Sequence, residues 1–167
     1  MRAETRSESE TEALARALAD GLEGPVVLGL TGPLGAGKTC FTRGVAEGLG
    51  VDPRQIASPT FVYLVEYPAA STRLVHADLY RMGEGGLELG ELAFDSVGLG
   101  EALFGDAVTV VEWWQYYRGP MPQRVISVEF EPGSGENRKI DLAFTGPELD
   151  APAGRAANWL ARSRAKR

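Results

Sequence analysis

Gly29-Leu-Thr-Gly-Pro-Leu-Gly-Ala-Gly-Lys-Thr39 decides the reading of this chain. Gly32, Gly37, Lys38 and Thr39 fit G-x-x-x-x-G-K-S/T, a loop that cradles phosphates. Glycines let the backbone curl so that several N–H groups point at one anion. An ammonium at Lys38 suits the outer phosphates, and the Thr39 hydroxyl suits a magnesium ion, a hard cation that prefers oxygen. The candidate nucleotide-binding residues are therefore Gly32, Pro33, Leu34, Gly35, Ala36, Gly37, Lys38, Thr39 and Cys40.

The flanks agree with this reading. Val26 to Leu30 is an apolar run of strand length. Cys40 to Leu49 follows with Phe41, Val45 and Leu49 on one helical face, and the positive end of such a helix favours a phosphate. A dinucleotide fingerprint fails, because Cys40 stands where the third glycine belongs.

Working outward, Ser9 to Glu12 has capping-box spacing, and Leu14, Leu18 and Leu22 recur every fourth residue, which predicts a helix over about 12–22. Strands are predicted over 61–67, 73–78 and 108–113. Arg124 to Glu131 and Arg138 to Phe144 alternate in polarity, as an antiparallel pair with one wet face does. Short helices are expected around 86–92 and 98–104, and a last one over 154–167. The pattern predicts an α/β chain: one three-layer domain over residues 1–167, of the phosphate-loop nucleotidase type, with a mostly parallel sheet and added antiparallel strands.

Nucleotide hydrolysis needs acids near the metal and the attacking water. In an open α/β sheet these belong at the C-terminal ends of strands beside the loop. Asp78 ends one predicted strand and Glu112 lies at the end of another. Either carboxylate suits a magnesium-bound water, and Glu112 also suits polarising the attacking water; position alone does not divide the two roles. Ser58 and Thr60 lie in a polar connection suited to a phosphate-sensing switch. His76, the single histidine, shares a strand face with Asp78 and reads as a group that positions its neighbours. Cys40 reads as packing, the alternative being a thiol activated by the helix end. Asn137 and Asn158 lie outside any Asn-Lys-x-Asp element, which favours ATP over GTP.

At 167 residues and net charge −6, the chain is not built for broad electrostatic gripping of nucleic acid. Cys40 stands alone, which excludes an internal disulfide and a cysteine-rich metal site. No apolar run reaches membrane-spanning length and the N-terminus has no hydrophobic signal segment, so a cytoplasmic location without membrane contact is expected.

Five pieces fall in order: Gly32 to Thr39, Phe41 to Gly44, Ser58-Pro-Thr-Phe61, His76-Ala-Asp-Leu-Tyr-Arg81 and Val111-Glu-Trp113. Together, over about residues 7–122, they resemble the TsaE (YjeE) family, small bacterial ATPases of tRNA threonylcarbamoyladenosine synthesis. The resemblance implies a partner of TsaB and TsaD that uses ATP and Mg to reset the transfer complex, touching tRNA only through that complex, with weak activity alone. It implies that Thr39 and Glu112 are metal ligands or near-ligands, that Lys38 holds the phosphates and that Asp78 supports metal and water. It also puts Thr60 in the switch and Thr11 near the nucleotide. Pro33, Cys40, Ala77 and Trp114 depart from the family pattern, and none removes a charged or metal-bound group. The runner-up is a small-molecule kinase on the same loop. Such an enzyme normally carries an arginine-bearing lid, and residues 83–105 hold no arginine.

Overall fold

The computed structural model describes residues 1–59, 64–83 and 98–165. Among them, β1 (Arg2–Thr5), β2 (Val26–Thr31), β3 (Leu64–Pro68), β4 (Arg73–Asp78), β5 (Val108–Glu112), β6 (Val125–Pro132) and β7 (Arg138–Thr145) form one sheet. The helices are α1 (Glu8–Ala19), α2 (Lys38–Gly48), α3 (Tyr80–Gly83), α4 (Leu99–Phe104) and α5 (Asp150–Ala165).

The sheet order is β1-β7-β6-β2-β5-β4-β3. The middle strands β6, β2, β5 and β4 run parallel, and β7, β1 and β3 are added antiparallel. The period of two along each strand sorts side chains to the two faces. Val26, Leu28 and Leu30 of β2 join Leu14, Leu18, Phe41 and Val45 of α1 and α2 in one core. Val27, Val75 and Val111 turn the other way, onto Leu99, Leu103 and Trp113. Helices thus cover both faces, giving the expected three layers.

Gly29 interrupts the apolar run of β2 for a steric reason. A Cβ there would lie 2.5 Å from the Trp114 ring, so only glycine lets the indole pack flat on the strand.

Several boundaries differ from the sequence reading. α1 starts at Glu8, not near residue 12. Its cap is Ser7, whose hydroxyl accepts from Glu10 N at 3.2 Å, while Glu10 Oε2 accepts from Arg6 N at 3.0 Å. Ser9 to Glu12 only has the same spacing two residues later. The earlier start follows from β1, which the sequence reading missed. Four residues alternating exposed and buried carry too little pattern, and only pairing with β7 makes them a strand. α5 starts at Asp150 rather than Gly154, because Pro152 lies in the first turn, where a missing N–H forfeits no helical bond. The strand read as running through Trp113 stops at Glu112, since Trp113 takes a left-handed conformation, φ 60°. The helix expected at 86–92 and the start of the strand expected at 61–67 lie outside the described residues.

Candidate active site

Three short stretches converge at the C-terminal ends of β2, β4 and β5. The first is the loop after β2. Gly35 and Gly37 have φ of 74° and 103°, which lets the loop fold back on itself. Gly37 has a second constraint: a Cβ would lie 2.6 Å from Arg138 Nε, so β7 packs its first side chain directly on the loop. Lys38 opens α2 and turns back, donating to Gly32 O and Pro33 O at 2.8 Å each. Its Nζ also sits 3.7 Å from the centroid of the Trp113 ring, which the left-handed turn after β5 swings over it. Burial lowers the Lys38 pKa, and the charges of Glu112 and Asp78 oppose that shift.

The second and third stretches are the ends of β4 and β5, where Asp78 and Glu112 are register partners. His76, Asp78 and Glu112 are 0, 1 and 2 % exposed, an unusual depth for titratable groups. Each acid is held on both oxygens. Glu112 Oε2 accepts from Thr39 Oγ1 at 3.1 Å, and Glu112 Oε1 lies 2.9 Å from His76 Nε2. Asp78 Oδ2 accepts from Ser58 Oγ at 2.6 Å and Asp78 Oδ1 from Tyr80 N at 2.8 Å. The loop, the connection before β3 and two strand ends are thereby tied through two carboxylates.

These groups open on a cavity of about 440 Å³, within the size range of small-molecule sites. Its wall includes Leu34, Gly35, Ala36, Gly37, Lys38, Thr39 and Cys40 from the loop and α2, and Ser58, Asp78 and Glu112 opposite them. Gly32 and Pro33 are not wall residues; their carbonyls face Lys38. Thr11 is not in the wall either. It is fully buried, with Oγ1 2.8 Å from Thr5 Oγ1 and 3.1 Å from Ser7 O, and it ties α1 to β1. Thr60 lies outside the described residues.

Cys40 is a wall residue but not an activated thiol. Its Sγ lies 3.4 Å from Glu8 O, and burial, with Glu12 and Glu8 adding, pushes the thiol up to about 12. The helix end does not overcome that.

Glu8, Arg43, Tyr80, Trp113 and Arg138 also line the cavity. Sequence reasoning assigned no site role to Glu8, Arg43 or Arg138. Trp113 entered the sequence reading only as part of the Val111-Glu-Trp113 piece. Arg138 carried none: it opens an ordinary alternating strand, and only the β6–β7 register brings it to Gly37.

The TsaE family profile, described as threonylcarbamoyl adenosine biosynthesis protein TsaE, matches residues 5–140. The chain belongs to the TsaE family. It is 36 % identical over 142 residues to the tRNA threonylcarbamoyladenosine biosynthesis protein TsaE of Bacillus subtilis, covering 85 % of this chain and 84 % of the relative. The Treponema pallidum TsaE is 35 % identical over 143 residues, 86 % of this chain and 100 % of the relative. Among solved structures, the chain resembles that of Bacillus subtilis YdiB with a TM-score of 0.73 and 30 % identity, over 95 % of this chain and 94 % of that one. The TsaE family profile spans the phosphate loop, both acids and Arg138.

Proposed function

We propose that this chain is the ATP-binding and ATP-hydrolysing subunit of the bacterial tRNA threonylcarbamoyladenosine machinery, acting with TsaB and TsaD to reset the transfer complex. Family membership supplies the process. The observation that carries the ATPase reading is the 3.1 Å bond from Thr39 Oγ1 to Glu112 Oε2, which ties the phosphate loop to a buried strand-end carboxylate.

The residues fit a magnesium ion. Mg²⁺ is commonly held by one or two carboxylates plus substrate phosphates and water, not by a full protein cage. Thr39, Glu112 and Asp78 supply a hydroxyl and two carboxylates. Among the described residues there is no cluster of three or more acids, histidines or cysteines suited to a metal, and substrate phosphates with water would complete its coordination. Bound there, the ion would neutralise charge gathering on the phosphate oxygens during transfer to water.

The protein groups do the rest. Lys38 exchanges its bonds to Gly32 O and Pro33 O for phosphate oxygens, and the loop N–H groups receive the remaining charge. Glu112 and Thr39 would hold the metal. Asp78 orients water and couples the site to Ser58, whose segment leads to Thr60 and serves as the switch. The proposed place of action is the cytoplasm; no helix among the described residues is long and apolar enough to cross a membrane.

The test is ATP turnover by the purified protein, alone and with TsaB and TsaD. Slow turnover that rises with the partners, and that Glu112→Ala abolishes while ATP still binds, is the expected result. Normal turnover in Glu112→Ala, or phosphorylation of a metabolite in place of hydrolysis, overturns the reading.

A further inference from the structure

His76 does not line the cavity, yet it is the most deeply buried titratable group beside it, at 0 % exposure. Its neighbours on the β4 face are Leu74 and Asp78, and across the strands it pairs with Val110 and Val65. A leucine would fill that place without needing a partner. The ring instead puts Nε2 2.9 Å from Glu112 Oε1.

The hydrogen-bond inventory selects one arrangement. A carboxylate only accepts, so Nε2 must carry the proton. Nδ1 has no partner among the described residues. With the proton on Nε2 it is left as a bare acceptor; the opposite tautomer would set two acceptors face to face and bury an unpaired N–H. Glu112 is therefore gripped from two sides, by Thr39 of α2 on one oxygen and by β4 on the other. Carboxylates and imidazoles that reach a metal are commonly oriented by such outer partners.

We propose that His76, as its Nε2–H tautomer, is the positioning residue that aims Glu112 at the metal side of the phosphate loop. This rests on the reading of Glu112 given under Proposed function. A purely structural histidine would affect every property of the site alike. A positioning histidine affects the metal-dependent part of nucleotide binding and spares the rest, because Lys38 and the loop amides do not touch it.

The single histidine makes the test clean, since one imidazole contributes to the ¹⁵N spectrum. In the free protein the ring should carry a proton on Nε2, and Glu112→Gln should move the ring-nitrogen signals. Binding of a non-hydrolysable ATP analogue is then measured across Mg²⁺ concentrations. His76→Leu should raise the Mg²⁺ requirement about 10–100-fold and leave metal-free binding unchanged. His76→Gln, whose side-chain amide can donate as Nε2 does, should recover most of the loss. An Nδ1–H tautomer, an unmoved Mg²⁺ requirement, or equal loss with and without Mg²⁺ overturns the proposal. If the leucine variant does not fold, the tautomer and its response to Glu112→Gln still decide. A wild-type chain that binds no nucleotide at all overturns the functional reading itself, which is a different result from binding that ignores His76.

Discussion

The edge of the sheet and its middle carry opposite kinds of polar pair. At the edge, Arg2 of β1 grips Asp141 of β7 through Nε and Nη2, with side chains 56 and 35 % exposed. In the middle, His76 and Glu112 meet at 2.9 Å with side chains 0 and 3 % exposed. The edge pair is tighter in geometry, and the guanidinium holds the Asp141 carboxyl below its ordinary value. Water and salt screen it nonetheless, so such a pair adds little to stability. The buried pair cost desolvation to assemble, and apolar residues of similar volume would often be as stable or more so. Charge buried where it does not help folding points to function, and charge displayed where it is screened does not.

The sharpest way to break this comparison is to make the middle apolar. A His76→Leu/Glu112→Leu double variant should unfold thermally no earlier than wild type, while Mg²⁺-dependent ATP turnover falls at least ~100-fold. Loss of both together would mean the pair holds the fold. Glu112→Leu alone should be less stable than the double variant by about 1–3 kcal/mol, because His76 then keeps a buried donor without a partner.

Lys38→Ala should come next in size. Losing charge-assisted bonds to phosphate should weaken ATP binding about 10–100-fold, read by calorimetry. Stability should hold or improve, since Lys38 is a buried residue and burial lowers its pKa. A large fall in stability would assign Lys38 to the fold instead.

Cys40 tests the same region by pH. Burial pushes its folded thiol up to about 12, from an ordinary value of 9.0. A raised thiol contributes stability fully below the unfolded value and loses it as pH rises toward the folded one. Chemical denaturation should therefore show a decline from about pH 9 upward that is smaller in Cys40→Ala. At pH 8 a thiol reagent should label the native chain slowly and the denatured chain at once. Fast native labelling would show that the thiol is not shielded.

The smallest effect belongs to the edge. Arg2→Ala should leave the midpoint of thermal unfolding within replicate scatter and ATP binding unchanged. A clear shift in either would show that the β1–β7 pair does more than decorate the surface.

Local pattern was sufficient for much of this molecule. The loop after β2 is a contiguous run whose glycines, lysine and threonine fit one motif, so it can be read without the rest of the chain. The strands over 73–78 and 108–112 are long enough in apolar period to be read directly, the second with one residue too many, and their acids follow from the rule for open α/β sheets. What local pattern could not supply was whatever depends on residues far apart in the chain. β1 is a strand because β7 offers it a ladder, and its presence moves the cap of α1 to Ser7. Thr11 faces Thr5 rather than the cavity for the same reason. Arg138 reaches the loop only through strand register, and Trp113 reaches Lys38 only through a left-handed turn that its own β-favouring side chain argues against. Short-range chemistry is written in neighbouring residues, whereas the meeting of α2, β4 and β5 around one carboxylate is a property of packing, and no window of sequence contains it.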